Sequence, residues 1–219
     1  MPICSIKYWE KPPEYHRYKG RICFRGDDIR DEHGALAVLQ ELSAHPTTII
    51  DANNAIAYGQ LAGHHTSTAD AVRAYIQSKL KSKHKTYVRV PKELWPKEWI
   101  GKYKAPCGLL ERALYGHPES GGHWERHLTK ILLEELGGKP VPNHPSCFWF
   151  EKTKLLLIVY VDDLMLSGPS DQHDAFWQHL RKHVSIEEPE PLDRFLGRNH
   201  PQTAPGCVQF EMSEYVCLL

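Results

Sequence analysis

The chain has 219 residues, of which 41% are hydrophobic and 10% aromatic, and its 27 basic and 27 acidic residues balance to zero formal charge. This length suits one large domain or two small lobes, and the aromatic content excludes a disordered chain. The longest apolar run, at 155–161, is far shorter than the roughly twenty residues of a membrane-spanning helix. Because no secretory signal is visible either, we expect an intracellular protein, cytoplasmic or nuclear, with no membrane partner. The six cysteines form no C-x-x-C pair, so we expect free thiols.

The predicted elements mix strands and helices. Three segments have the alternation of strands: 21–24, 86–90 and 207–210. Four segments have helical spacing: 35–42, 52–61, 123–136 and 171–184. In the last of these we expect Ala175, Phe176 and Leu180 to face inward. The segments 147–150 and 155–161 form a predicted hairpin around a polar turn. Without a regular alternation of strand and helix, the pattern favours an α+β layer fold.

A basic segment lies between residues 79 and 104. It carries nine Lys or Arg residues against two Glu, and two Trp and two Tyr are interleaved with them. Such a strip can neutralise phosphates and stack on bases. A solvated surface with anchoring aromatic side chains explains the same pattern.

Two adjacent carboxylates, Asp162 and Asp163, stand between the apolar runs 155–161 and 164–166. Burying unpaired charge there would be unfavourable by several kcal/mol per ion, on the order of the desolvation penalty of a buried ion. If the apolar runs are paired strands, the two acids occupy the tight turn between them. They are then either solvated, as turn Asp residues commonly are, or clamped on a divalent cation.

In this strand-turn-strand context the segment from Tyr160 to Asp163 resembles the metal-binding hairpin of reverse transcriptases, and the whole chain resembles the Copia-type retrotransposon reverse transcriptase. Five motifs of that family occur here in the family's order. They are Lys19-Gly20-Arg21, Asp70 with Tyr75 five residues later, Leu114-Tyr115-Gly116 before Trp124, Tyr160 to Asp163, and Phe195-Leu196-Gly197. The resemblance extends from about Tyr18 to the end of the chain.

The resemblance implies a right-hand polymerase palm, in which an antiparallel sheet has helices on one face, together with fingers, and a thumb that is missing or truncated. Within one domain of residues 1–219, the fingers would comprise roughly 15–65 and 80–110 and the palm roughly 66–79 and 111–219. The implied activity is that of an RNA-directed DNA polymerase, which transfers a nucleotide from a dNTP to a primer 3'-hydroxyl on an RNA or DNA template. Two Mg²⁺ ions, for which Mn²⁺ can substitute, are implied as cofactors.

The resemblance also implies roles for residues. Asp70 and Asp162 would hold both ions, with Asp163 as a weaker third ligand. Asp51 is an alternative to Asp70 as a metal ligand because it also ends a short apolar segment. Five residues after it, however, Ile56 stands where the family has an aromatic residue.

The other implied roles concern the substrates. Lys19 and Arg21 would reach the triphosphate, with Arg25 as a nearby substitute, and Tyr75 would lie beneath the sugar and exclude a 2'-hydroxyl. The remaining assignments are Tyr115, Gly116 and Tyr160 for the nucleotide pocket, and Phe195, Leu196 and Gly197 for the primer grip.

This sequence departs from the family after Tyr115-Gly116, where Leu-Lys-Gln-Ala-Pro is replaced by a segment that begins His117-Pro118-Glu119. The protease, integrase and RNase H segments of a full-length element are also absent, which suggests a fragment or a decayed copy. Two alternatives therefore stay open: a catalytically inactive remnant that binds nucleic acid, and an unrelated α+β protein with a solvated Asp-Asp turn.

Overall fold

The structure is a computed structural model that describes residues 2–7, 9, 12–37, 46–204 and 206–212. The chain divides into two compact units. The first unit comprises Met1–Ser43 with Ser78–His123, and the second comprises Ala44–Gln77 with Trp124–Leu219.

The first unit is built from two small antiparallel ribbons. Strands β1 (Pro2–Lys7) and β2 (Arg17–Ile22) form one ribbon. Strands β4 (Tyr87–Arg89) and β5 (Cys107–Leu109) form the other, which confirms the strand predicted at 86–90. The strand predicted at 21–24 ends at Ile22 instead. Of the helix predicted at 35–42, residues 35–37 are not helical and the others lie outside the described residues.

The second unit contains a six-stranded sheet in the order β10-β3-β9-β8-β7-β6, and every neighbouring pair in it is antiparallel. The strands are β3 (His64–Asp70), β6 (Lys139–Pro140), β7 (Cys147–Phe150), β8 (Leu155–Tyr160), β9 (Asp163–Pro169) and β10 (Glu190–Pro191). The hairpin predicted at 147–161 is confirmed as β7 and β8. Four shorter strands follow in two hairpins: β11 (Arg194–Phe195), β12 (Arg198–Asn199), β13 (Gln202–Ala204) and β14 (Cys207–Val208).

Helices cover both faces of this sheet. The helices are α1 (Ile49–Gly59), α2 (Ala74–Gln77), α3 (Ser120–Glu134) and α4 (His173–Arg181). Side chains of α3 and α4 pack on one face, against alternate residues of β8 and β9 such as Leu157 and Leu166. The intervening residues Ile158 and Met165 point to the other face, where α1 and Phe195 bury them. The expectation of helices on one face only was therefore wrong, because these central strands are apolar on both faces and both need a cover.

Three of the four predicted helices are present with shifted ends. The apolar stripe of α3 is buried, with Trp124 and Leu132 at 1% and 0% exposure. In α4 the prediction that Ala175 faces inward was wrong, since Ala175 is exposed. The buried stripe is His173, Phe176, Trp177 and Leu180. Because α4 begins at His173, the inward positions fall three, four and seven residues after it.

The division into units differs from the predicted one in three places, the smallest of which is residues 78–79, expected with the palm and found in the first unit. Residues 46–65, expected with the fingers, belong to the second unit because α1 packs on its sheet. Residues 111–123, expected with the palm, belong to the first unit. That the two units are fingers and palm stays a prediction. Among the described helices, none is both long and apolar enough to cross a membrane.

Candidate active site

Two of the predicted metal ligands lie directly opposite each other where strands β3 and β9 of the second unit's sheet end and begin. Asp70 is the last residue of β3 and Asp163 is the first residue of β9, and the two are paired in the antiparallel register. On the other side, Asp163 is paired with Tyr160 at the end of β8. The antiparallel topology therefore brings together two motifs that are ninety residues apart in the sequence.

The turn between β8 and β9 holds Asp162 next to this pair. The turn residue Val161 has φ of 58°, a conformation that is unusual for a β-branched residue. Its carbonyl accepts a hydrogen bond of 2.6 Å from the indole Nε1 of the buried Trp124. The carbonyl of Asp162 accepts a hydrogen bond of 2.7 Å from the backbone N–H of Ala71, which follows Asp70. These two contacts fix the turn to α3 and to the end of β3.

The three carboxylates repel one another, and this repulsion contributes to a shift in the pKa of Asp163. Burial, followed by the charges of Asp70 and Asp162, raises the pKa of Asp163 to about 6, and a hydrogen bond with Asp70 favours the protonated form further. Hard carboxylate oxygens held together in this way suit a divalent cation, which would relieve the repulsion. Among the described residues no group of three His, Cys, Asp or Glu side chains is arranged to enclose an ion by itself. An ion here would therefore complete its coordination with water or phosphate oxygens, as Mg²⁺ usually does.

Tyr75 lies close to the carboxylate turn. It is in the short helix α2, partly buried against the core, and burial together with the charge of Asp162 raises the pKa of its phenol. The role of Tyr75 beneath the sugar stays a prediction.

Asp51, the alternative to Asp70 as a metal ligand, has a structural role at the start of α1. It lies in the first turn of α1, where Thr48 and Asp51 form a reciprocal capping box, and its other oxygen bonds the imidazole of His144. Burial acts to raise the pKa of Asp51, but the hydrogen bonds from Thr48 and His144 outweigh it and lower the pKa. A carboxylate used in this way stabilises the helix start and is not available to an ion beside Asp162.

The predicted primer-grip residues form the tip of the β11–β12 hairpin. Phe195 is buried against α1, while Leu196 and Gly197 are the two turn residues, with φ of 50° and 74°. Positive φ at both central positions is typical of a type I′ turn. Arg198 fixes the hairpin through a 2.8 Å hydrogen bond to Asn53 of α1, and its guanidinium lies 4.9 Å from the Phe210 ring centre.

Two of the predicted nucleotide-binding residues of the first unit, Arg21 and Tyr115, contact each other. Lys19 and Arg21 are alternate residues of β2, so they share one face of the ribbon. The Arg21 guanidinium lies 5.6 Å from the ring centre of Tyr115. Gly116 has φ of 88°, and a Cβ there would lie only 2.1 Å from the Phe24 carbonyl. The close approach that this glycine permits in the structure is thus to the chain's own backbone.

The segment that replaces the family's Leu-Lys-Gln-Ala-Pro is mostly buried. His117 bonds Thr86 and the backbone N–H of Glu119, and Ser120 bonds both backbone groups of Leu114. The carboxylate of Glu119, the residue before α3, lies 3.4 Å from Nε2 of His123 in the first turn of the helix. These side chains hold the start of α3, and none of them is a Lys or a Gln.

All nine basic side chains of the strip at 79–104 are exposed, and none of them forms an ion pair with a described residue. Tyr87 and Tyr103 are exposed as well, at 61% and 46%. Trp95 is partly buried and donates to the Val90 carbonyl, so it anchors the segment. The anchoring by Trp95 agrees with the interpretation of a solvated surface with anchoring aromatic side chains, and contact of this strip with nucleic acid stays a prediction.

Comparison with known proteins decides the family. Residues 47–218, well over half of the chain, match the family model described as reverse transcriptase (RNA-dependent DNA polymerase). The chain belongs to this reverse transcriptase family. It is also 27% identical over 111 residues to the protein named "Putative transposon Ty5-1 protein" of Saccharomyces cerevisiae, which covers 49% of this chain and 35% of the relative. The Copia-type resemblance predicted from the ordered motifs is thereby confirmed.

Among solved structures, telomerase from Candida albicans in complex with a TWJ fragment of telomeric RNA matches with a TM-score of 0.42 and 12% identity. The match covers 77% of this chain and 34% of that one. This reverse transcriptase chain thus spans about a third of the length of each of these two relatives. Family membership overturns the alternative of an unrelated α+β protein.

Sequence reasoning missed two contributors to the site. Arg198 directly follows Phe195-Leu196-Gly197. If Leu196 and Gly197 form a two-residue hairpin turn, Arg198 pairs with Phe195, so its position could have been predicted. The anchoring bond from Trp124 to Val161 carried no local signal, because 37 residues separate the two.

Proposed function

We propose that this reverse transcriptase chain is an RNA-directed DNA polymerase core that transfers nucleotides from dNTPs to a primer 3'-hydroxyl. The single observation that carries the proposal is the pairing of Asp70 with Asp163 across β3 and β9, with Asp162 in the adjoining turn. In the reaction the 3'-oxygen attacks the α-phosphorus, the bond from that phosphorus to the bridging oxygen breaks, and pyrophosphate leaves. The hydroxyl proton passes to solvent.

Asp70 and Asp162 are the proposed metal ligands, and Asp163 supports them. Bound Mg²⁺, or Mn²⁺ in its place, would act as a Lewis acid on the reacting oxygens. The chain's own residues contribute position: Trp124 and Ala71 fix the turn that presents Asp162. Tyr75, beside Asp162, is the proposed barrier to a 2'-hydroxyl, and Lys19 and Arg21 are the proposed triphosphate contacts.

The test is primer extension on a poly(rA)/oligo(dT) template with Mg²⁺ or Mn²⁺. Asp162→Asn and Asp70→Asn are expected to abolish extension, whereas Asp171→Asn, which changes an exposed carboxylate, is expected to leave it intact. Asp51→Asn separates the rival assignment, because it is expected to lower stability without abolishing extension. Extension that survives Asp162→Asn would contradict the proposal.

A second candidate function is a catalytically inactive module that binds nucleic acid. It is favoured by one observation: the segment in place of the family's Lys and Gln buries its side chains at the start of α3. This candidate predicts salt-dependent binding of the template-primer, measured by fluorescence anisotropy, with no extension by the wild type. In both candidates the template-primer is the partner, and integrase and RNase H would be supplied by other segments of an element.

A further inference from the structure

The backbone that carries Asp70 continues into a tight turn and then into the short helix α2. Arg73 in this turn has φ of 51°, a left-handed conformation that is uncommon for a residue with a side chain. Helix α2 has only four residues, so hydrogen bonds within it contribute little to its stability. A strained turn and a helix this short keep one conformation only when neighbouring groups hold them.

The segment 185–187 lies alongside this turn. The backbone N–H of Glu187 donates to the Asp70 carbonyl at 2.8 Å. Two residues after Asp70, the backbone N–H of Val72 donates to the Ser185 carbonyl at 2.9 Å. The start of the turn, including the backbone of Asp70, is therefore hydrogen-bonded to a segment that is distant in the sequence.

Gln77, the last residue of α2, connects the turn to this segment through its side-chain amide. Its Nε2 donates to the Val72 carbonyl at 2.8 Å and to the Ser185 carbonyl at 2.9 Å. Its Oε1 accepts a hydrogen bond of 2.8 Å from the backbone N–H of Ser185. One side chain thus bonds a carbonyl of the turn and both backbone groups of Ser185, which requires a donor and an acceptor on the same residue.

We propose that Gln77 is a positioning residue for the polymerase reaction, because it holds the turn that joins two residues of the proposed site. The turn begins after Asp70, a proposed metal ligand, and leads into α2 with Tyr75, whose phenol is influenced by the charge of Asp162. Gln77 acts through the backbone of the turn and not on a substrate. This inference rests on the proposed function, since Asp70 and Tyr75 need exact placement only if nucleotides are transferred beside them.

The expected effect of losing the Gln77 amide is a small displacement of Asp70. Strand β3 is paired with β9 from His64 to Asp70, so the strand as a whole does not depend on Gln77. The amide controls only the end of the strand and the turn after it. A displacement of about 1 Å in a group that orients the reacting atoms can lower the rate on the order of 100-fold.

The test compares primer extension by the wild type with that of Gln77→Ala and Gln77→Glu. Gln77→Glu keeps the size of the side chain and an acceptor for the Ser185 N–H, but it replaces the donor with a carboxylate that faces two carbonyls. Both variants are expected to lower kcat at least about tenfold while the KM for template-primer changes less than about threefold. If Gln77 only filled space, Gln77→Glu would behave like the wild type. Gln178→Ala, which changes an exposed amide on α4, is the matched control and should leave kcat unchanged.

Amide hydrogen exchange is a second readout, and it does not depend on activity. The N–H groups of Ala71 and Glu187 report the position of the strand end, because they donate to the carbonyls of Asp162 and Asp70. In Gln77→Ala both are expected to exchange at least about tenfold faster, whereas the N–H groups in the middle of β3 should stay protected.

The two readouts distinguish the ways in which the proposals can fail. If the wild type extends no primer, the proposed polymerase function fails, and the exchange at Ala71 and Glu187 alone decides whether Gln77 holds the turn. Unchanged exchange at these two residues in Gln77→Ala would overturn the positioning role, even if Ser185 exchanged faster. Faster exchange with an unaltered kcat would overturn it as well.

Discussion

At the scale of single residues, Asp163 shows how the proposed site lowers the stability of the fold. Its carboxyl group faces Asp70 across the strand pair and adjoins Asp162, and its pKa is raised to about 6. Between about pH 4 and 6 the folded protein retains a proton that the unfolded chain has lost. The free energy of unfolding therefore falls as the pH rises through this window, because the folded state binds more protons.

Asp163→Asn is expected to remove this penalty. At pH 7.5 without divalent cations the variant should be about 1 to 2 kcal/mol more stable than the wild type, less than the full shift represents because the turn is partly solvated. The difference should shrink toward pH 4, as urea denaturation at the two pH values would show. Glu135→Gln, which changes an exposed carboxylate, serves as the control and should alter stability by less than about 0.5 kcal/mol. A gain in stability that is equal at both pH values would argue against this origin.

Gly116 shows a second residue-scale constraint. Its φ of 88° disfavours any side chain, and its Cα approaches the Phe24 carbonyl so closely that a Cβ would overlap it. Gly116→Ala is expected to destabilise the first unit by about 2 kcal/mol or more.

Gly34→Ala is the matched control. Gly34 belongs to the same unit and has φ of 84°, but nothing lies within 4 Å of the place a Cβ would occupy. The Gly34→Ala variant should therefore lose only about 1 kcal/mol of unfolding free energy, because of the positive φ alone. Thermal unfolding of both variants compares the two effects, and equal losses would show that the contact with Phe24 is unimportant.

At the scale of elements, a buried polar chain joins α4 to β3. The Trp177 indole donates to Ser67 Oγ at 2.9 Å, and Ser67 Oγ lies 2.7 Å from Nδ1 of His173. Nε2 of His173 lies 3.3 Å from the Gly168 carbonyl. Burial, then the neighbouring His65, lowers the pKa of His173 to about 4, so the ring is neutral in the folded protein. This chain explains why the inward stripe of α4 includes a histidine that hydrophobic patterning overlooked.

Acid is expected to lower the stability that this buried polar chain contributes. Between pH 6.5 and about 4 the unfolded chain binds a proton that folded His173 does not, so the free energy of unfolding falls as the pH falls. His173→Gln should be less stable than the wild type at pH 7.5 but should lose about 2 kcal/mol less on acidification to pH 4.5. Because Asp163 acts in the opposite direction, the comparison is clearest in the Asp163→Asn background. The exposed His183→Gln is the control, and an identical acid loss in all variants would contradict the assignment.

At the scale of the whole molecule, charge is segregated along the chain although the net charge is zero. The strip at 79–104 has nine exposed cations and two Glu residues, whereas the other residues carry the acidic excess. Such a local excess acts on a polyanion by releasing its counterions, and the affinity then depends steeply on salt.

Template-primer affinity should therefore depend on this strip. Replacing Lys97, Lys102 and Lys104 by Gln is expected to reduce the slope of log affinity against log salt by up to about 3, near 0.9 per lost phosphate contact. The same number of changes at Lys139, Lys152 and Lys182 alters net charge equally and should leave the slope nearly unchanged. Fluorescence anisotropy between 50 and 300 mM salt would measure both, on the order of the range where such slopes are resolved. Equal slopes for the two triple variants would rule out a specific role for the strip.

The family, the long helices and the β7–β8 hairpin could be predicted from the sequence, because they depend on local patterns. Apolar stripes define α3 and α4, and the ordered motifs from Lys19 to Gly197 define a Copia-type reverse transcriptase. The adjacent acids at 162 and 163 were also visible, since charge between apolar runs is rare.

Which distant residues meet could not be predicted from the sequence and is seen in the fold. The register that sets Asp70 opposite Asp163, the anchoring of the turn by Trp124 and the use of Asp51 as a helix cap all depend on strand pairing and packing between remote segments. The cover on both sheet faces has the same origin. Long-range pairing is selected by the burial of whole faces, and no local window of sequence contains that information.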